Sequence, residues 1–260
     1  VIVFAAIAPH GAPVFEQPES PTRLGMEELG RRFAAARPEV AIVLTPHGVH
    51  VDGHFAVVRS AALEGDASQW TDEETRYEGP GDPVLAEACV AALQEDGLPA
   101  LGVTFGATAA GASTMPLDWG ALIPLRFMRA PAVVVSPCRA LANEQHVRAG
   151  AALARATEAR RVALIASADH GHGHTADGPY GFSPESKPYD ERICALVAGD
   201  GLGELVSVDP SWAVGAQADS FWQLLMLHGA LQSGAFVPEL LSYEVPTYFG
   251  MLTAAYARQD

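Results

Sequence analysis

The sequence predicts a three-layer α/β/α fold around a central mixed, largely parallel sheet, in a single domain spanning residues 1–260. Three observations carry this expectation. Short apolar runs of strand length alternate with helical segments through most of the chain, the pattern of βα units whose helices cover both faces of a sheet. At 260 residues, with 49% hydrophobic and 18% charged side chains, the chain has ample material for a core and too little charge for disorder. No internal repeat, low-complexity tract or linker divides it.

The elements follow in order. Val1–Ala8 is apolar but too short to span a bilayer, and it lacks the basic start and cleavage pattern of a signal peptide. It reads as a first, central strand. Ser20-Pro21 is an N-cap followed by proline at the first helical position, and Met26, Leu29, Phe33 and Ala36 recur at helical spacing, so a helix is expected over Pro21–Arg37. Val40–Thr45 and Phe55–Val58 read as strands, Pro83–Glu95 as a helix, and Ala100–Thr104 and Ala132–Ser136 as strands. Arg139–Thr157 is Ala-rich and helical, and Arg161–Ala166 is the strand after it. Pro184–Ala198 and Pro210–Gln232 read as two more helices, the second with an apolar face of Phe221, Leu224, Leu225, Leu227 and Leu231. Leu63–Pro83 and Thr108–Pro124 break the alternation and read as long surface loops, which in a compact domain are often functional.

Composition excludes several classes. The net charge is −15 and the 16 basic residues are scattered, so neither a nucleic-acid backbone nor a membrane surface is expected as partner. The three cysteines, Cys89, Cys138 and Cys194, have no C-x-x-C spacing, which argues against a disulfide framework and a thiolate zinc site. A cytoplasmic protein is the expectation. No G-x-S-x-G, Walker A, G-x-G-x-x-G or H-E-x-x-H motif occurs.

The histidines point to chemistry. Seven of the nine fall in three stretches: Ala8-Pro9-His10-Gly11, Pro46-His47-Gly48-Val49-His50-Val51-Asp52-Gly53-His54, and Ser167-Ala168-Asp169-His170-Gly171-His172-Gly173-His174. Each follows an apolar strand run, and parallel strands ending at one sheet edge bring their loops together. His10 and His47 share a Pro-His-Gly setting: proline stiffens the entry and glycine lets the chain turn away. Two imidazoles suit zinc, copper, iron or nickel, and a third ligand is required. A third histidine would favour zinc with an open position; a carboxylate would make the facial set of iron(II). Glu244, in Ser242-Tyr243-Glu244-Val245-Pro246, is the best carboxylate candidate, because its apolar, aromatic setting suggests partial burial. His146 and His228 lie in helical stretches and read as structural.

In their joint order these motifs resemble the class III extradiol ring-cleavage dioxygenases. Ala8-Pro9-His10-Gly11 and Thr45-Pro46-His47 match the family's two histidine turns. Leu117-Asp118-Trp119-Gly120-Ala121-Leu122-Ile123-Pro124-Leu125 is similar to its central Asp-His-Gly…Pro-Leu stretch, and Ser167-Ala168-Asp169-His170-Gly171-His172 to its Ser-x-Asp/Gly-x-Ser-His segment. Trp119 stands where relatives often carry His, and Gly171 replaces the usual Ser. The resemblance implies that His10, His47 and Glu244 hold a non-haem Fe(II), with zinc or another divalent metal as alternatives, and that His172 is the acid/base. It implies a catechol-type or aminophenol-type ring and dioxygen as reactants, and a ring-opened semialdehyde as product. Further copies of the chain, or a small second subunit closing the pocket, are the protein partners it suggests. No substrate-binding residue is singled out; Arg126, Arg129, Arg139 and Lys187 are unranked candidates for meeting a substrate carboxylate. Memo-like metal-binding proteins share the frame without ring cleavage, and a zinc hydrolase built on His10 and His47 is the other alternative.

Overall fold

In the computed structural model, which describes residues 1–68, 76–157 and 159–259, the apolar runs assemble into one eight-stranded sheet. Strand β1 (Ile2–Ala8) leads through a single helical turn, α1 (Pro13–Glu16), into helix α2 (Pro21–Ala36) and strand β2 (Val40–Leu44). Strands β3 (Phe55–Val58), β4 (Ala62–Gly65) and β5 (Tyr77–Pro80) follow, then helix α3 (Pro83–Glu95) and strands β6 (Ala100–Val103) and β7 (Thr114–Pro116). Helix α4 (Trp119–Phe127), strand β8 (Ala132–Ser136), helix α5 (Asn143–Ala156) and strand β9 (Val162–Ser167) come next. Helices α6 (Ser186–Ala198), α7 (Ser211–Gly215) and α8 (Phe221–Leu231) precede the hairpin β10 (Phe236–Glu244) and β11 (Met251–Arg258).

The strand order is β10-β11-β1-β9-β2-β8-β3-β6. The centre is parallel, β1 with β9, β9 with β2 and β2 with β8, whereas the β10–β11 hairpin joins β1 antiparallel. Side chains alternate across it. Val40, Ile42 and Leu44 of β2 enter a core shared with α3, α5, α6 and α8; Ala41 and Val43 face α2 and α4. Each such Val, Ile or Leu contributes about 1.5–3 kcal/mol when fully buried. This is the three-layer α/β/α arrangement that the sequence predicts. Helices α5 and α8 meet backbone to backbone: a Cβ on Gly150 would lie 1.8 Å from the Met226 carbonyl oxygen, and one on Gly229 1.9 Å from that of Val147. Among the described residues no helix is long and apolar enough to cross a membrane.

Three expectations are corrected. Leu63–Pro83 and Thr108–Pro124 are not plain loops: they supply β4, β5 and β7, which form a second, three-stranded sheet, and the start of α4. Leu63, Tyr77 and Met115 bury their side chains from it, but strands of three or four residues show no period. Residues 69–75 of that stretch lie outside the described residues. The helix expected over Arg139–Thr157 begins at Asn143. The helix expected over Pro210–Gln232 is two helices, α7 and α8, separated at Gln217, whose φ of 56° is left-handed. The break leaves Asp219 on a connecting segment instead of inside a helix.

Candidate metal centre

The register of the sheet delivers the site. β1 and β9 pair Ala8 with Ser167, and β2 and β9 pair Leu44 with Ala166. His10, His47 and Asp169 therefore leave three adjacent parallel strands at one level, at their carboxyl ends. Open α/β sheets place ligands at this edge.

His10 is buried, and its Nδ1 is 2.9 Å from the Ser167 hydroxyl, which turns Nε2 inward. His47 is half-buried, with its backbone N–H donating to Thr45 Oγ1 at 3.2 Å. The two Nε2 atoms are 3.1 Å apart. Asp219, from the break between α7 and α8, completes the group: its Oδ2 lies 3.4 Å from His10 Nε2 and 3.1 Å from His47 Nε2. Its Oδ1 accepts from the Asp169 backbone N–H at 3.1 Å, which fixes the carboxylate's direction. Bonds of about 2.0–2.1 Å to one ion, at roughly 90–110°, set ligand atoms about 3.0–3.4 Å apart. All three separations fit, so these side chains could hold a divalent metal in the two-His, one-carboxylate facial pattern.

Electrostatics agree. Burial alone would lower the His10 pKa, but the carboxylates of Asp169 and Asp219 outweigh it and hold the imidazolium up to about 9. Burial opposes ionisation of Asp219, yet His10 and His47 keep its carboxyl well below the usual range. Asp169 moves the other way, raised chiefly by burial and further by the Asp219 charge. The pocket thus attracts positive charge, whether a proton or a metal ion.

The structure does not bring Glu244 to this centre. At the end of edge strand β10, its Oε1 accepts from the Thr22 backbone N–H at 2.8 Å. With Ser20, whose Oγ accepts from Arg23 N–H, it caps the first turn of α2. The half-buried setting read from its neighbours holds, but its oxygen serves a helix end. The carboxylate of the histidine pair is Asp219.

His172 faces the same centre from the loop after β9. Its ring stacks on Phe249, with centroids 5.1 Å apart and planes 12° apart, and meets the edge of Tyr180 at 5.7 Å. Among the described residues neither ring nitrogen has a hydrogen-bond partner, and Nδ1 is buried. Packing therefore positions this ring while its nitrogens stay unpaired among the described residues. Asp190 grips the loop on both sides of it: Oδ1 accepts from Gly171 N–H at 2.7 Å, and Oδ2 lies 2.8 Å from His174 Nε2 and accepts from the Tyr243 hydroxyl at 2.7 Å. His170 is buried against Ser220, its Nδ1 3.0 Å from the hydroxyl, and burial lowers its pKa. His50 is exposed and His54 bonds only its own turn, at the Asp52 carbonyl. His146 is buried against Phe55, with Nδ1 donating to the Ala142 carbonyl, and His228 lies beside Gln232.

A cavity of about 380 Å³ opens above the group, bounded by His10, His47, Asp169, His172, Glu16, Trp119, Tyr180, Thr247, Tyr248 and Phe249. That volume lies toward the small end of ligand pockets, about 300–1,000 Å³. Trp119 packs against His47 at 4.6 Å between centroids. The sequence reading misses Asp219, Asp190 and Glu16. For Asp219 a signal exists: Gly215 followed by Asp219-Ser220 before an apolar run is a helix stop and a new N-cap. Asp190 and Glu16 carry no local mark.

Comparison with known proteins adds three findings. A family model described as the catalytic LigB subunit of aromatic ring-opening dioxygenase matches residues 5–253. Protein CA_C1420 of Clostridium acetobutylicum is 23% identical over 229 residues, covering 86% of this chain and 49% of that protein, so the chain spans about half the length of the curated relative it matches. The crystal structure of uncharacterized protein JW3007 from Escherichia coli K12 aligns with a TM-score of 0.67, covering 97% of this chain and 99% of that one at 18% identity, a likeness of fold.

Proposed function

The chain belongs to the family of catalytic LigB subunits of aromatic ring-opening dioxygenases, and on that premise we propose that it is a non-haem Fe(II) extradiol dioxygenase. Its substrate is a catechol-type or aminophenol-type ring, its product a ring-opened semialdehyde, and residues 1–260 act as one catalytic domain. The observation that carries this reading is the convergence of His10 Nε2, His47 Nε2 and Asp219 Oδ2, 3.1–3.4 Å apart, beneath an aromatic-walled cavity that also holds His172. These three side chains would hold the iron, which when bound would supply one centre for the ring's two adjacent heteroatoms and dioxygen.

The chain's own residues do the rest. The flat ring is received beside His47 and His172, against Phe249 and the inner side of the aromatic wall. His172 takes the proton that a ring hydroxyl gives up on binding and returns it as the ring opens. Ring nitrogens without a hydrogen-bond partner among the described residues suit a group that must accept and release a proton in one cycle. Phe249 and Asp190 keep its ring and loop in place.

Oxygen consumption by anaerobically Fe(II)-loaded protein, measured against a panel of catechols and aminophenols, tests the reading. Uptake matched one-to-one by a yellow ring-opened product is expected. Full iron occupancy with no uptake across the panel would sink it.

A further inference from the structure

The cavity wall carries no cationic Lys or Arg side chain. The chain has 16 Lys and Arg residues, all sixteen lie among the described residues, and none of them lines the cavity. The four that the sequence offered as carboxylate partners are engaged elsewhere. Arg126 reaches the Arg76 carbonyl, Arg129 lies over Tyr77, Arg139 over Trp222, and Lys187 beside Glu191. The one exposed charge on the wall is instead an acid. Glu16 ends α1, one helical turn beyond the loop of His10, and its carboxylate has no hydrogen-bond or ion-pair partner among the described residues. The same cavity is walled by aromatic rings: Trp119 and Tyr180 are 43% and 61% exposed, and Tyr180 and Tyr248 lie 6.1 Å apart between centroids. An aromatic wall with one carboxylate is what receives an organic ammonium: ring faces attract the cation and the acid offsets its charge.

We propose that the substrate ring carries a cationic ammonium side chain, received by Glu16 and the Trp119–Tyr180–Tyr248 wall, and that ring substrates bearing a carboxylate are rejected. The proposal rests on the dioxygenase reading for the ring but not for the side chain. A carboxylated ring would bring an anion into a cavity lined by Glu16 and Asp169 and by no Lys or Arg, inside a chain of net charge −15. A neutral ring would bind with neither gain nor penalty from Glu16.

The test uses three catechols of one shape, bearing an aminoethyl, an ethyl or a carboxyethyl chain, titrated anaerobically into Fe(II)-loaded protein by calorimetry. The aminoethyl compound is expected to bind about fivefold tighter than the ethyl one, and the carboxyethyl one about fivefold weaker, the range of one partly exposed charge contact. In Glu16→Gln the aminoethyl and ethyl compounds come within about twofold, and in Glu16→Lys the order reverses. Glu16 is exposed, and unchanged affinity for the ethyl compound reports that each variant is folded. Equal binding of all three, tighter binding of the carboxyethyl compound, or an ammonium preference that survives Glu16→Gln overturns the proposal. Oxygen uptake, followed in parallel, separates the two readings. The charge order without uptake removes the dioxygenase and supports the proposal; uptake confined to the carboxyethyl compound does the reverse.

Discussion

Two carboxylates, Asp219 and Glu244, carry the same functional group to opposite ends. Asp219 sits in an interhelical break, buried, with one oxygen fixed by the Asp169 N–H and the other aimed between two imidazoles. Glu244 sits at the end of an edge strand, half-buried, and closes the first turn of α2. Burial separates them only in degree, and the apolar character of their neighbours does not separate them. The backbone that delivers the acid does. Asp219 leaves a chain that reverses at a left-handed residue and points at the sheet's carboxyl edge; Glu244 leaves a strand whose partner elements are a hairpin and a helix end.

The contrast breaks most visibly at the metal. Asp219→Ala should lose stoichiometric Fe(II), with affinity falling by more than the roughly 100-fold that outer partners of a ligand cost. Metal analysis after gel filtration checks this, and full occupancy in the variant would remove Asp219 from the ligand set. Next, His172→Ala should keep its iron while kcat drops about 10²–10⁴-fold; normal turnover would end its assigned role. The third effect concerns pH. Without metal, His10 holds its proton up to about 9, so each ion bound below that pH must displace one. Apparent affinity should therefore rise about tenfold per pH unit towards 9, then flatten, and calorimetry in buffers of different ionisation heat counts the proton released. The same raised pKa stabilises the metal-free fold fully below pH 6.5, and that contribution disappears as pH climbs through about 9. Metal-loaded protein, its His10 neutral, should not show the decline in thermal melts. The smallest effect is at the other acid. Glu244→Ala should retain wild-type metal content and lose about 1 kcal/mol of stability, the worth of a helix cap. Loss of iron from a folded Glu244→Ala protein would reverse the comparison.

Much of this molecule is readable without coordinates. The central strands stand out because both their faces are buried, so Val40–Leu44 and Val162–Ser167 are continuous apolar runs. His10 and His47 stand out because each follows such a run and sits beside a glycine; His172 shares that setting with His170 and His174, and only the resemblance to the extradiol family singles it out. Asp219 is marked only by Gly215 and the Asp219-Ser220 pair, and that mark is overridden because Ala213, Ala216, Phe221 and Leu224 keep a helical rhythm across the break. What interrupts the helix is the positive φ of Gln217, a conformation that a glutamine adopts only when tertiary structure requires it. Glu244 misleads for the complementary reason. Tyr243 and Pro246 announce partial burial but say nothing of direction, and period-two geometry sends neighbouring side chains to opposite faces. Glu16 lies on a helical turn too short for any periodic signal.

The place of β1 in the sheet has a consequence for how the protein is made. Among the described residues this strand pairs only with β9 and β11, and His10, just beyond its end, meets Ser167 across 157 residues of chain. A polypeptide emerging from its N-terminus therefore displays both Pro-His-Gly turns long before the strands that align them, or the helix break that supplies Asp219, have been synthesised. Two imidazoles without their carboxylate partner bind a metal ion weakly, so a site built from His10, His47 and Asp219 requires the closed sheet. Metal retention after gel filtration is therefore expected to report closure of the sheet as well as the identity of the ligands.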